Sequence, residues 1–424
     1  MHHDPNRPWY LRLHWQVLMA MILGVLTGAV FGTRDPADPG WIGNIFWIGD
    51  FFMKLLRMII VPLVLTSIVA GVASVGGGRT IGRLFGKTLG YYVLSSFLAV
   101  MTGLLMVNLI SPGKRADMEA AVATDMPELE TPDSAVDLIL GLVPQNVFQA
   151  ASEADMLAII FFCIVFGASI TALPEKMRVL LTDAFEALFH AMMVLTGGII
   201  KFLPIGVFAL ITRMVATTGF SAFEPLAYYA GTIFSGLTIH LFVTLPILLL
   251  LLGRIRPRIH FLNMREPLLV AFSTSSSGAT LPVTINAVEN KVGVSNRVTS
   301  FVLPMGATVN MDGTAVFECV GALFIAQVLG ADLGIVQQAT VVLTALLASI
   351  GAAAVPSAGL VIIFIVLGAV GLEGPHVDAI VASMLAIDRP LDMYRTSVNV
   401  FSDSCGAAII ARSEGEKDVD TEVG

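Results

Sequence analysis

Five polar side chains recur in an otherwise apolar run near the C-terminus: Asp388, Asp392, Arg395, Asn399 and Asp403. On a helix turning about 100° per residue they fall within about 80° of one another, on one face. A charged side chain at mid-bilayer costs roughly 2.5–3.5 kcal/mol on insertion scales. The four charged groups turned toward lipid would cost on the order of 10 kcal/mol. That face must line protein or water. A ladder of ion pairs, Asp388 or Asp392 with Arg395, is one use for it. Three acids against one base leave negative charge over, which suits cations.

A second cluster, Gly306 to Thr314, reads Gly-Ala-Thr-Val-Asn-Met-Asp-Gly-Thr. Asn, Asp and Thr compete with the backbone for hydrogen bonds and Gly is flexible, so a helix is expected to break here. Carboxylate, amide and freed carbonyl oxygens then converge, as a small hard cation requires.

The elements that carry these clusters follow from composition. The chain has 424 residues, 56% hydrophobic and 13% charged, with a mean hydropathy of +0.83. A soluble domain carries roughly 25% charge. The chain therefore reads as an all-α polytopic membrane protein. A net charge of −8 without a basic domain argues against nucleic-acid binding. Three cysteines in apolar runs, Cys163, Cys319 and Cys405, exclude a disulfide scaffold. The apolar run 17–31 has no small-residue cleavage site behind it and reads as a span, not a signal peptide.

A spanning helix needs roughly 20 apolar residues. Spans are expected at 13–33, 44–75, 82–110, 155–173, 177–218, 224–253, 296–329 and 376–412. The longer ones should tilt or kink. Two further apolar stretches, 260–291 and 335–371, carry small and polar residues near their middles. The first contains Ser275-Ser-Ser-Gly-Ala-Thr-Leu-Pro282 and the second Ser349-Ile-Gly-Ala-Ala-Ala-Val-Pro356, each with Ser seven residues before Pro. Read as re-entrant hairpins from opposite sides, they leave fifteen basic residues inside and three (Arg34, Lys114 and Arg115) outside. Both termini are then cytoplasmic, and the acidic stretch 116–137 becomes an outer loop. A hairpin followed by a polar span, repeated with inverted orientation, is a transporter pattern. Non-helical backbone at membrane depth persists where it lines a cavity, and half-helix N-termini there favour carboxylates.

These motifs resemble the dicarboxylate/amino acid:cation symporter family over residues 12–412. The resemblance implies a non-enzymatic, sodium-coupled importer of glutamate or aspartate in a cell membrane, the bacterial inner membrane. It implies eight transmembrane helices plus the two hairpins, a homotrimer and an elevator movement. Residues 13–75 and 138–218 would form the scaffold. Residues 82–110 and 224–412 would form the moving transport domain, with 111–137 as the outer loop, 1–12 as the cytoplasmic N-terminus and 413–424 as a cytoplasmic tail. Sodium ions are cargo, and no organic cofactor is implied.

By the same resemblance Arg395 grips the substrate side-chain carboxylate, helped by Thr314, and Asp392 takes the ammonium group. Asn399, Ser277 and the backbone of Ser275 and Ser276 hold the α-carboxylate, with Val355, Gly359 and Thr396 completing the site. One sodium site would use Asn310, Asp403 and the carbonyls of Gly306 and Asn399. Another would use Asp312, Asn310, Ser95, Ser96 and the Tyr92 carbonyl. A third would use the carbonyls of Thr308, Ser349, Ile350 and Ala352.

Three departures stand out. Ser275 and Met393 occupy the positions where family members carry a second arginine, leaving Arg389 as a substitute. Gly278 replaces the last serine of the usual trio. Glu318 stands where mammalian members carry a protonatable Glu, so proton co-transport through Glu318 is expected; a buried carboxyl is a common proton carrier in membranes. The uncharged Met393 weakens the case for potassium counter-transport. The nearest rival is a proton-coupled C4-dicarboxylate carrier, against which Asp392 argues because such a substrate has no ammonium group. No His or Lys neighbours the hairpin serines in sequence, which argues against an intramembrane hydrolase. His190 and His240 sit alone on apolar spans and read as packing residues.

Overall fold

The computed structural model of the protein describes residues 13–33, 39–73, 79–115, 140, 143–153, 155–219, 223–350 and 359–420. The stretch 116–137, expected as an outer loop, and the expected tip of the second hairpin, with Ala352, Val355 and Pro356, lie outside the described residues. Among the described residues every regular element is helical. In chain order these are α1 (Leu13–Phe31), α2 (Phe46–Met58), α3 (Ile60–Ala73), α4 (Arg79–Ile110), α5 (Val147–Ser152), α6 (Met156–Thr171), α7 (Glu175–Ile200) and α8 (Leu203–Thr218). They continue as α9 (Phe223–Ile239), α10 (Pro257–Thr274), α11 (Ser277–Ala287), α12 (Asn296–Val309), α13 (Asp312–Val328), α14 (Ile335–Ile350), α15 (Gly359–Gly368) and α16 (Pro375–Ser413). Helix α9 is prolonged by π-helical turns at His240–Thr244 and Leu249–Gly253.

Five helical stretches among the described residues are long and apolar enough to cross a membrane: Gly40–Ala73, Arg83–Lys114, Glu175–Ile200, Glu224–Gly253 and Asn296–Val328. The apolar stretch 177–218, expected as one element, is two. Helix α7 ends at Ile200 and α8 starts at Leu203 with Pro204 in its first turn, where a missing N–H costs nothing. The stretch 44–75 likewise divides at Ile59 into α2 and α3. Helix α16 runs unbroken for 39 residues, or about 58 Å at 1.5 Å per residue. That exceeds the roughly 40–45 Å of a whole bilayer, so it must tilt or project beyond it.

The helices pack in two clusters joined through α8, which lies against α16 as well. Helices α1 and α2 pack on α8, and α3 packs on α6 and α7. Helices α4, α9, α13 and α16 contact one another, and α10, α11 and α12 lie against α16. The most apolar window of Asn296–Val328 is 100% buried, against 6% for Glu175–Ile200. Helix α13 is thus the centre of the molecule, and α7 turns an apolar face outward, available to lipid or to another copy.

Helices α10 and α11 double back on each other through two residues. Ser275 closes α10 in the left-handed region at φ 50°, and Ser276 caps α11 by accepting a hydrogen bond at Oγ from the Ala279 N–H, 3.2 Å away. This pair falls on the expected first hairpin. Helices α14 and α15, on either side of residues 351–358, also pack on each other.

Candidate functional site

The expected break falls on the expected residues. Helix α12 ends at Val309 with Asn310 as its cap, Met311 has extended-to-bridge backbone (φ −110°, ψ 56°), and α13 begins at Asp312. The Gly313 N–H is satisfied by Asn399 Oδ1 on α16, 2.7 Å away. Break and α16 face are therefore stitched together. The second Asn399 contact is Nδ2 to Met311 Sδ at 3.3 Å.

Around the break lies a fully buried polar cluster. Asp312 Oδ1 accepts from Ser96 Oγ at 2.6 Å and Ser95 Oγ at 3.2 Å. Its Oδ2 accepts from Ser402 Oγ at 2.6 Å and faces His240 Nε2 at 2.9 Å. Ser95 Oγ also lies 3.1 Å from Asn310 Oδ1 and 3.4 Å from the Tyr92 carbonyl. Asn310 Nδ2 donates to Asp403 Oδ1 at 3.0 Å and to Ser402 Oγ at 2.9 Å. The expected cation-binding side chains Ser95, Ser96, Asn310, Asp312 and Asp403, and the Tyr92 carbonyl, thus meet in one place. Gly306 belongs with them: a Cβ there would come within 2.5 Å of Asp403 Oδ1 and of Tyr92 Oη. Thr308 and Ser349 spend their hydroxyls on the carbonyls of Met305 and Leu346 in their own helices, at 3.0 and 2.9 Å. Ser349 is fully buried, and Ile350 is the last residue of α14.

The second centre is Arg395, whose side chain is 1% exposed. Its Nη2 donates to Asp388 Oδ1 at 2.9 Å and to Asp392 Oδ1 at 3.0 Å, and its guanidinium carbon lies 3.9 Å from the centre of the Phe317 ring. The ion-pair ladder therefore forms with both acids. It leaves Nε and Nη1 buried without partners. Arg389 Nη1 approaches Asp392 Oδ2 at 3.3 Å. Thr314 is buried nearby on α13, and Thr396 donates to the Asp392 carbonyl at 2.8 Å. Ser397 donates to the Leu268 carbonyl at 3.2 Å, tying α16 to the arm that carries Ser275, Ser276 and Ser277. Ser277 is buried, and the buried Ser275 hydroxyl has no partner.

Glu318 is fully buried, and neither carboxyl oxygen has a partner. Tyr229, stacked on Phe324 at 4.7 Å, also has an unpartnered, buried hydroxyl. Buried polar groups are normally satisfied, so this concentration of exceptions marks a place where a ligand or water belongs.

Sequence reasoning read His240 as a packing residue, which its bond to Asp312 corrects, and it passed over Ser402 and Tyr229. His240 lies 72 positions from its partner Asp312 on an apolar helix. Its only local signal is an ionisable side chain at membrane depth.

The family described as the sodium:dicarboxylate symporter family matches residues 13–413. The chain is 36% identical over 413 residues to a proton/sodium-glutamate symport protein of Geobacillus stearothermophilus, covering 95% of each. It is 34% identical over 417 residues to the proton/glutamate-aspartate symporter of Escherichia coli, covering 96% of this chain and 94% of that one. It is 36% identical over 460 residues to mouse excitatory amino acid transporter 3, covering 95% of this chain and 86% of the transporter. A family match across nearly the whole chain means that this chain belongs to the sodium:dicarboxylate symporter family.

Proposed function

We propose that the protein imports an acidic amino acid, glutamate or aspartate, across the cell membrane together with sodium, and that Glu318 carries a proton in the same cycle. One observation carries the substrate class: Arg395 keeps Nε and Nη1 bare in a buried site while Nη2 is anchored by Asp388 and Asp392. Buried N–H groups that find no acceptor in the protein, held rigid and dry, are a socket for a carboxylate. The acids beside them repel a simple anion and attract an ammonium group. A zwitterion with a side-chain carboxylate meets both demands.

Sodium is cargo in this reading. Ser95, Ser96, Asn310, Asp312 and the Tyr92 carbonyl supply oxygen for one ion, and Asn310, Asp403, Gly306 and Asn399 for another. A hard monovalent cation takes such ligands. Helices α10 and α11 serve as the first re-entrant hairpin and α14 and α15 as the second. Helices α4 and α9–α16 travel as the elevator against a scaffold of α1–α3 and α5–α8, and the outward apolar face of α7 supports a homotrimer. The orphaned oxygens of Glu318 support its role as a proton site, since a protonated carboxyl tolerates burial without a partner better than a carboxylate does.

The test is uptake of labelled aspartate and glutamate into proteoliposomes, with sodium and pH gradients imposed separately. Uptake driven by an inward sodium gradient is expected. Transport indifferent to sodium would overturn the reading. A second reading, a proton-coupled C4-dicarboxylate carrier, draws on one observation: both Asp392 oxygens already face guanidinium groups. Succinate competing as well as aspartate would favour it.

A further inference from the structure

The Asp312 carboxylate is held by four donors, and they are of two kinds. On Oδ1 sit the hydroxyls of Ser96 and Ser95, at 2.6 and 3.2 Å. A hydroxyl has one proton and two lone pairs, and it rotates to suit its neighbour. When a cation arrives, both can swing their protons away and offer oxygen; Ser95 already has the Tyr92 carbonyl 3.4 Å away as another acceptor. On Oδ2 sit His240 Nε2 at 2.9 Å and Ser402 Oγ at 2.6 Å. A carboxylate only accepts, so the imidazole nitrogen facing it carries hydrogen whatever the charge on the ring. That N–H cannot turn round to become a ligand.

Ser402 has a second constraint. Its oxygen accepts from Asn310 Nδ2 at 2.9 Å while its proton goes to Asp312. With Asp403 Oδ1 accepting from the same Nδ2 at 3.0 Å, the Asn310 amide is pinned nitrogen-outward. Its oxygen is left on the Ser95 side, 3.1 Å from Ser95 Oγ.

We propose that His240 and Ser402 are positioning residues for the cation cargo: together they occupy Oδ2 of Asp312, present that residue as a one-oxygen ligand, and turn the Asn310 carbonyl to the same side. The proposal rests on the sodium reading above. Two features mark the histidine as placed for this bond. It opens a π-helical turn, a local irregularity that re-aims a side chain. Its Nδ1 is buried without a partner, a loss that an aliphatic residue filling the same apolar space would avoid.

The experiment measures labelled aspartate uptake into proteoliposomes as a function of sodium concentration for wild type, His240→Ala, His240→Gln and Ser402→Ala. Removing a group that orients a metal ligand typically weakens metal affinity roughly 10–100-fold. Half-saturation by sodium is expected to rise by about that factor in His240→Ala and Ser402→Ala. The aspartate KM at saturating sodium stays unchanged, and His240→Gln, which keeps an N–H donor, recovers most of the loss. A merely structural role would lower expression or turnover and leave the sodium curve where it was. If His240→Ala does not insert, Ser402→Ala, which deletes one oxygen, carries the test alone. Sodium-dependent uptake with an unshifted curve in the alanine variants overturns the proposal and leaves the sodium reading standing. Wild-type uptake without sodium dependence overturns both.

Discussion

Gly359, the first residue of α15, lies so close to Arg395 that a Cβ on it would come within 2.5 Å of Nη1. The guanidinium has little room to retreat, being tied by Asp388 and Asp392 and seated over Phe317. Gly359→Ala should therefore displace the bare N–H that we propose meets the substrate carboxylate. The aspartate KM is expected to rise at least about 10-fold, equivalent to about 1.4 kcal/mol of binding, with half-saturation by sodium preserved. Kinetics of labelled uptake check this.

Arg395→Cys should abolish acidic amino-acid uptake. It also strands Asp388 and Asp392, and breaking a buried pair costs about 3–5 kcal/mol, so the thermal midpoint in detergent should fall as well. Arg395→Lys restores the charge but not the fork. We expect it to recover the thermal midpoint more than the transport. A lysine variant with wild-type KM would count against recognition by the guanidinium.

For Glu318→Gln, the substitution keeps shape and removes the dissociable proton. Uptake should persist under a sodium gradient and lose its dependence on an imposed pH gradient. A pH response unchanged from wild type would remove Glu318 from the cycle.

Gly306→Ala tests the cation cluster independently of His240. The added methyl would press on Asp403 Oδ1 and Tyr92 Oη, each at 2.5 Å, while Tyr92 Oη is held by the Val302 carbonyl at 2.7 Å. Half-saturation by sodium should rise, by about 10-fold or more if the ligand shell is forced apart. The sodium titration used for Ser402→Ala reads it directly.

The tail that follows α16 gives a prediction in pH. Glu414 is bound by Lys87 and Arg83, both at 2.6 Å, and these hydrogen bonds hold its carboxyl below the ordinary value of 4.5. A depressed carboxyl stabilises the fold above its unfolded value and loses that contribution as the pH falls through its folded value. Thermal midpoints should thus be level above pH 4.5 in this respect and drop below it. In Glu414→Gln the midpoint should be lower near neutrality, and the acid drop smaller. Most of the effect is screened at high salt, because Arg83 is largely exposed.

Much of the site was legible because polar residues in an apolar sequence have few innocent explanations. The shared face of Asp388, Asp392 and Arg395, the break after Asn310 and the Ser275 turn all follow from that logic. The pairing of both Asp388 and Asp392 with Arg395 was legible as an alternative use of the same face. What escaped was tertiary. His240 finds Asp312 only because α9 packs on α13, and Ser402 carries no charge to draw notice. The division of 177–218 into α7 and α8 was missed because its apolar character continues across the join, although Pro204 marked the new start.

The hydrogen bond from the Gly313 N–H to Asn399 Oδ1 has a thermodynamic consequence. It joins the residue after Asp312 to the helix that holds Arg395 one turn away, so neither centre can shift without loading the other. Such linkage is reciprocal for binding free energies. Whatever factor bound sodium adds to the affinity for aspartate, bound aspartate must add to the affinity for sodium, and severing that single bond should shrink both factors equally.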